Sequence, residues 1–402
     1  MGDAFIFDEN NENDGYPVLY MGFKGEGTPD SPFLISNKED LYRMRDYIGD
    51  DDFTNLFANR NFKITNNIIF DSTDTWYPVG NDYNRFSGVL DGGGHTISGL
   101  NMNMLSGRNS KVALFRYLKG TIKNLGIENS KFVADTAAAF VLQLEGGTLE
   151  NCWSKDSKVN GANVASGIVA FADGNFTINR VFNASHISGG DNLISGIVAR
   201  IILDGNSVFT NSFNTGKIEG PIYLKLNSLA NFAYRFDASK ITLKNLYTTD
   251  TTGNSVFNKK DFTSSIIENV FHLKSSDDDS TGVTEKYMKS KEFAERLGKE
   301  FTYDSLGVNG GYPILLSSKT AFNSKKGLFK IAENNPSIKI STESGMIQLE
   351  GLFANERVTL ADVKGRILWK GRAIGNTLAI SIKTPGVYVV KTKSIARKVL
   401  VK

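Results

Sequence analysis

The residues best equipped for chemistry cluster around one glycine corner, Arg85-Phe86-Ser87-Gly88-Val89-Leu90-Asp91-Gly92-Gly93-Gly94-His95. An Asp, a His and an Arg this close could supply an acid, a polar helper and a clamp for a sugar carboxylate. The same residues also suit a turn. Asp91 would cap a corner that Gly92 to Gly94 make sterically accessible, and His95 would hydrogen-bond at its edge. A glycosidase would need two or three carboxylates converging about 5 to 9 Å apart. A lyase would need an Arg or Lys base, usually near calcium held by carboxylates.

Elsewhere the candidates are sparser. Asp173, Asp191 and Asp204 follow apolar runs at steps of 18 and 13 residues, which reads as turns rather than a stacked cluster. Asp277-Asp278-Asp279 among Ser275, Ser276 and Ser280 forms an acidic loop. It is the one place where a surface calcium has to be weighed, although it lacks the ligand order of a helix-loop-helix calcium site. His186 and His272 stand alone. Cys152 is the only cysteine, so there is no internal disulfide and no thiolate metal site; beside Trp153, it reads as a small core residue. No Ser-His-Asp pattern, phosphate loop or zinc signature occurs. No catalytic, cofactor-binding or metal-ligating residue is therefore assigned, and no cofactor is expected.

These residues must be positioned by a repeating scaffold. Thr96-Ile97-x-Gly99-Leu100 returns as Thr121-Ile122-x-Asn124-Leu125, and the residue after Thr-Ile-x marks a series through Gly99, Asn124, Asn151, Arg180, Asn211, Asn245 and Asn269. The steps are 25, 27, 29, 31, 34 and 24 residues. Two places beyond the marker stand Trp153, Phe182, Phe213, Tyr247 and Phe271, while Ser166-Gly167-Ile168-Val169-Ala170 recurs as Ser195-Gly196-Ile197-Val198-Ala199. Short runs of Val, Ile, Phe and Thr broken by Gly, Asn, Asp and Ser indicate strands and turns, not helical repeats. Coils of this length bury their apolar edges only by stacking. The expectation is a parallel β-helix with aliphatic and aromatic ladders inside and Asn side chains bonding from rung to rung. Helical caps are expected at Ser36-Asn37-Lys38-Glu39 with Leu41, Met44, Tyr47 and Ile48, and at 285–297 with Met288, Phe293 and Leu297.

A second echo links the two ends. Phe5, Asp8, Asn13, Gly15, Tyr16, Pro17 and Leu19 recur 296 residues later as Phe301, Asp304, Asn309, Gly311, Tyr312, Pro313 and Leu315. The second copy closes the solenoid, so the first is expected to be the end of an earlier one, making the chain the C-terminal portion of a longer tandem protein. The alternative is one motif used at both ends of a single domain.

Composition narrows the classes. The chain has 402 residues and a net charge of +3 with both signs interspersed, which gives no electrostatic case for nucleic acid. No stretch approaches the roughly 20 apolar residues of a membrane helix.

Gly25-Glu26-Gly27-Thr28-Pro29-Asp30-Ser31-Pro32-Phe33-Leu34-Ile35-Ser36, Leu41, Trp76-Tyr77-Pro78-Val79-Gly80 and the corner Phe86 to Leu100 together resemble the opening of bacterial surface proteins with GLUG-motif repeats. The repeats depart from that motif at Ala113-Leu114-Phe115-Arg116 and Ser166-Gly167-Ile168-Val169. The resemblance implies secreted or surface-attached β-helices, found in adhesin-like proteins and beside peptidase catalytic domains, and generally not catalytic themselves. The tail carries Val358-Thr359-Leu360, Asp362-Val363-x-Gly365-Arg366-Ile367-Leu368, Pro385-Gly386-Val387-Tyr388 and Lys398-Val399-Leu400-Val401-Lys402. It resembles a C-terminal sorting domain of type IX secretion, which implies an address read by outer-membrane machinery.

The expected architecture is all-β: a right-handed parallel β-helix with helical caps, followed by a small antiparallel β-sandwich. Residues 1–21 read as the end of a preceding module or a remnant left by cloning, 22–316 as the β-helix, 317–337 as linker and 338–402 as the sorting sandwich. The expected role is a secreted or outer-membrane-attached, adhesin-like or carbohydrate-contacting monomer. Its expected partners are the type IX machinery and a glycan or surface polymer. The alternative is a β-helix polysaccharide lyase or glycoside hydrolase, or the scaffold of a larger secreted enzyme. Tyr83, Tyr117, Tyr223 and Tyr234 are the aromatic residues that could meet a glycan if they face outward.

Overall fold

The β-branched runs and Asn or Gly corners do fold as stacked coils in a computed structural model of the chain. It describes residues 5–6, 18–19, 22–51, 53–104, 109–190, 192–203, 205–221, 228–235, 240–251, 265–274, 282–318, 339–343, 346–350, 352, 357–362, 366–373, 377–382, 384–392 and 396–401. The chain divides into two compact units, 1–322 and 323–402.

In the first unit, successive coils pair in parallel, as a parallel solenoid requires. Thr121–Lys123, Thr148–Glu150 and Thr177–Asn179 stack in register, and each leads into a left-handed corner. Asn124, Asn151, Asn211, Asn245 and Asn269 all occupy those corners with φ between 49° and 57°. Asn tolerates this region better than most side chains. The amides then bond rung to rung: Asn151 to Asn124 at 2.8 Å, Asn245 to Asn211 at 2.9 Å and Asn269 to Asn245 at 3.0 Å. Arg180 takes the corner at φ 56° and interrupts the amide series.

The register of the first rung differs from the sequence reading. Thr121-Ile122-Lys123 pairs with Val89-Leu90-Asp91, whereas Thr96-Ile97-Ser98 lies under Gly126-Ile127-Glu128. The first coils have two left-handed corners close together, at Gly93–Gly94 and Gly99, at Asn124 and Asn129, and at Asn151 and Asp156, so Gly99 belongs with Asn129 and Asp156, not with Asn124.

The aromatic ladder differs too. Trp153, Phe182, Phe213 and Tyr247 stack in register with interplanar angles of 4° to 7°, but on the outside of the coil. They form an apolar cluster separate from the solenoid core. The inward neighbours are polar: Ser154, Asn183, Asn214 and Thr248 continue a column that begins as Ile97 and Ile127. Asn183 donates to Asn214 at 2.7 Å, satisfying fully buried amides.

Helices occupy both ends of this unit. α1 (Lys38–Gly49) is capped by Asn37, which accepts the Asp40 N–H, while Asp40 accepts that of Ser36. The box therefore lies one residue later than the Ser36 spacing suggests. Its Leu41, Met44 and Ile48 enter the main core beside a four-residue turn of helix, α2 (Thr54–Phe57). α3 (Glu285–Met288) and α4 (Lys291–Leu297), capped by Thr284 and Ser290, lie against the outer aromatic ladder. Phe293 meets Tyr247 and Phe271 edge-on. Phe301–Thr302 and Ile314–Leu315 then form an antiparallel hairpin on the same ladder. The echoed residues Phe5–Ile6 and Val18–Leu19 pair in the identical register, Phe5 opposite Leu19.

The second unit is antiparallel. A three-stranded sheet and a four-stranded sheet share a core that includes Ile347, Leu349, Val358, Leu360, Ile380 and Val390. Alternation in Met346–Glu350 and Arg357–Asp362 points apolar side chains one way.

Candidate ligand-contacting sites

The structure disperses the glycine-corner residues. Asp91 Oδ1 accepts the N–H of Gly93 at 2.9 Å and the amide of Asn124 at 3.0 Å, which is a turn-holding role. His95 Nδ1 lies 3.3 Å from Asn67 Oδ1. Arg85 instead pairs with Glu145 at 2.9 Å and lies over the Tyr117 ring. The three residues engage three different sets of partners and do not converge.

Asp173 accepts the Gln143 amide at 2.8 Å. Asp191, Asp204 and Asp277 to Asp279 lie outside the described residues. His186 is not alone: its Nε2 lies 2.8 Å from Glu219, whose carboxyl is held below the usual range by Lys217 and then His186. His272 is buried. Burial pushes the Cys152 thiol up to about 12, so it stays protonated and unreactive near neutrality. Tyr83 is 87% exposed. Tyr117 is half-buried and donates to Asp82 at 2.8 Å, and Tyr223 and the Tyr234 side chain lie outside the description. Among the described residues no group of three metal-ligating side chains occurs.

Sequence reasoning missed a cleft at the first helix. The last turn of α1 faces Tyr77, Pro78, Gly80 and Asn81 across a shallow, open depression of about 360 Å³. The signal was the apolar spacing in Trp76-Tyr77-Pro78-Val79, whose first and last residues turn inward. Trp76 and Val79 are anchored inward on Leu114 O at 3.4 and 2.9 Å, leaving Tyr77 56% exposed. The Arg45 guanidinium lies 4.8 Å from the Tyr42 ring and 5.2 Å from that of Trp76, and its Nε donates to Asp46 at 2.7 Å. Asn81 and Asn84 both donate to Gly49 O, tying the two walls together. An open aromatic ring opposite a fixed guanidinium–carboxylate pair suits ring stacking and hydroxyl recognition.

A second face lies on the five-stranded sheet made by Phe115–Leu118, Val141–Glu145, Val169–Asp173, Val198–Leu203 and Ala230–Arg235. Tyr117, Gln143, Phe171 and Arg200 stack in register and are partly exposed. Glu145 and Asp173 also stand on adjacent strands. Glu145 is neutralised by Arg85 and, at 3.8 Å, by Lys119.

No family model matches the chain. Halomucin of Haloquadratum walsbyi is 29% identical over 150 residues, 37% of this chain and 2% of that protein. A protein of Evansella cellulosilytica, provisionally named a Gly-rich membrane protein, is 28% identical over 137 residues, 32% of this chain and 15% of its own length. The chain thus spans a small fraction of these relatives. The crystal structure of a candidate immunoglobulin A1 protease from Bacteroides ovatus superposes with a TM-score of 0.55 at 18% identity, covering 73% of this chain and 95% of that one. That likeness supports the β-solenoid fold.

Proposed function

We propose that this chain is a non-catalytic, glycan-contacting module of a secreted, surface-attached protein. The observation that carries the reading is the Tyr77 cleft, where an exposed ring, Arg45–Asp46 and Asn81 surround a space of about 360 Å³. The names of the relatives, a halomucin and a membrane protein, accord with an extracellular or surface location. In this reading 22–316 is the contact module, 317–337 the linker and 338–402 a type IX sorting domain, the last supported by its sequence resemblance. The test is binding of the whole chain to a panel of neutral and acidic oligosaccharides. Tyr77→Ala should weaken neutral-sugar binding roughly tenfold while leaving thermal stability unchanged. Equal binding by the variant would sink the reading.

One observation favours a second reading, an enzyme: Glu145 and Asp173 sit on neighbouring rungs beside Arg85 and Lys119. It would require new reducing or unsaturated ends to appear when polysaccharides are incubated with the chain, and to vanish with Glu145→Gln.

A further inference from the structure

Arg200 is the one arginine on the five-stranded face whose charge has no anionic partner among the described residues. Arg85 forms an ion pair with Glu145 at 2.9 Å, and Arg116 donates to Asp82 at 2.8 to 3.0 Å. Among the described residues the Arg200 side chain has neither an ion pair nor a hydrogen bond; its Nε is shielded and unpartnered, and its Cζ lies 5.6 Å from the Phe171 ring. The rest of the side chain is only partly buried, so its outer nitrogens stay open to an acceptor while the Phe171 ring beside it limits the positions of the planar fork. The surroundings are apolar and amide-bearing. Beside it, Leu142, Val164, Ala170 and Ala199 form a separate buried apolar patch with Phe171 and Leu193 packed on it. On the rungs below stand Phe171 and Gln143, the latter already aligned by Asp173.

We infer that this face binds a carboxylate-bearing sugar, the carboxylate resting on the outer nitrogens of Arg200 and the ring edge on Phe171. The guanidinium matches a carboxylate by two parallel hydrogen bonds. Rungs about 4.8 Å apart would let further residues of an extended acidic glycan meet the Gln143 amide. An acidic peptide fits less well. The strand carrying Arg200 is paired on both sides, so no backbone edge is open there for strand addition. The inference rests on the glycan-contacting reading only for its ligand class; the site is separate from the Tyr77 cleft.

The experiment measures binding of the whole chain to short oligogalacturonates, matched neutral oligosaccharides and a polyglutamate peptide. Arg200→Met, which keeps an aliphatic cover on Phe171, should weaken oligogalacturonate binding roughly tenfold or more. Arg200→Lys should fall between the two, and added salt should weaken the wild type. Tyr77→Ala should spare the acidic ligand while reducing neutral-sugar binding, so loss of one site is distinguishable from loss of the other. The inference is overturned if Arg200→Met binds oligogalacturonate like the wild type, or if neutral oligosaccharides or polyglutamate bind the Arg200 face equally well. An unchanged unfolding midpoint for Arg200→Met confirms that any loss is local.

Discussion

Two outward ladders of the same solenoid have opposite fates. Trp153, Phe182, Phe213, Tyr247 and Phe271 point away from the core yet are at most 9% exposed, because residues 283–315 lie over them. Tyr117, Gln143, Phe171 and Arg200 occupy an equivalent position on the five-stranded sheet and remain partly open. A continuous aromatic column is too apolar to leave in water and recruits a cover from its own chain. A column that alternates ring, amide and guanidinium can stay wet and is free to meet a ligand. Outward aromatic residues on this fold therefore mark internal packing, and mixed columns mark candidate contact faces.

The largest expected effect tests that division directly. Phe213→Ala removes the centre of the covered stack, between Phe182 and Tyr247 at 4.9 Å centroid spacing on each side. It should cost about 3–5 kcal/mol and expose 283–315 to limited proteolysis. Phe171→Ala, on the open face, should cost well under half as much. Denaturant unfolding of both variants, followed beside proteolysis, compares them; equal losses would break the distinction.

Alkaline pH should sharpen it. Burial pushes the Cys152 thiol up to about 12, and burial followed by Glu285 pushes Tyr312 up to about 12; Tyr247, fully buried, is raised well above its ordinary value. Each is a neutral acid whose folded pKa exceeds its unfolded one, so the folded state holds the proton more tightly. That contribution is complete below about pH 9 and is lost as pH rises towards 12. Stability should be flat around neutrality and then fall across that window, with proteolysis at 283–315 appearing first. Cys152→Ala should start less stable, because it leaves a small cavity, but decline less steeply. A decline of the same slope would assign the effect elsewhere.

The architecture was legible because corners and close contacts restrict residue type. Gly167 and Gly196 recur because an added Cβ would stand 2.5 Å and 2.4 Å from Asn183 Cγ and Asn214 Cγ, respectively. Gly126 recurs as no motif, yet it makes the space in which the Trp153 indole lies. What stayed illegible was direction. A period of two assigns alternate faces but not which is inside, so the aromatic column read as core and the polar Ser154-Asn183-Asn214-Thr248 column went unseen. The first rung was misplaced for a related reason, since Thr96-Ile97-Ser98 leads into the second left-handed corner of its coil with the same Thr-Ile-x pattern that leads into the first corner of the next. The Tyr77 cleft depends on a helix and a loop separated by 30 residues or so, a juxtaposition that periodicity does not encode.

The smallest expected effect concerns what holds the cover in place. Arg180 breaks the corner amide series and ties Glu150 on its own solenoid edge to Glu300 in the cover, at 3.7 Å for the latter. Its side chain and that of Glu300 are about 30% exposed, where an ion pair contributes roughly 0–1 kcal/mol. Arg180→Asn would lose that tie. In exchange it would place an amide between Asn151 and Asn211 and put a residue more tolerant of positive φ at 56°. The two changes should nearly cancel, leaving the unfolding free energy within about 0.5 kcal/mol of the wild type. Protease resistance of 283–315 should also be unchanged, because the aromatic column, not the ion pair, holds the cover. Release of that segment in Arg180→Asn, with the midpoint preserved, would show instead that charge fastens the cover and that the aromatic flank is exposed more readily than its packing implies.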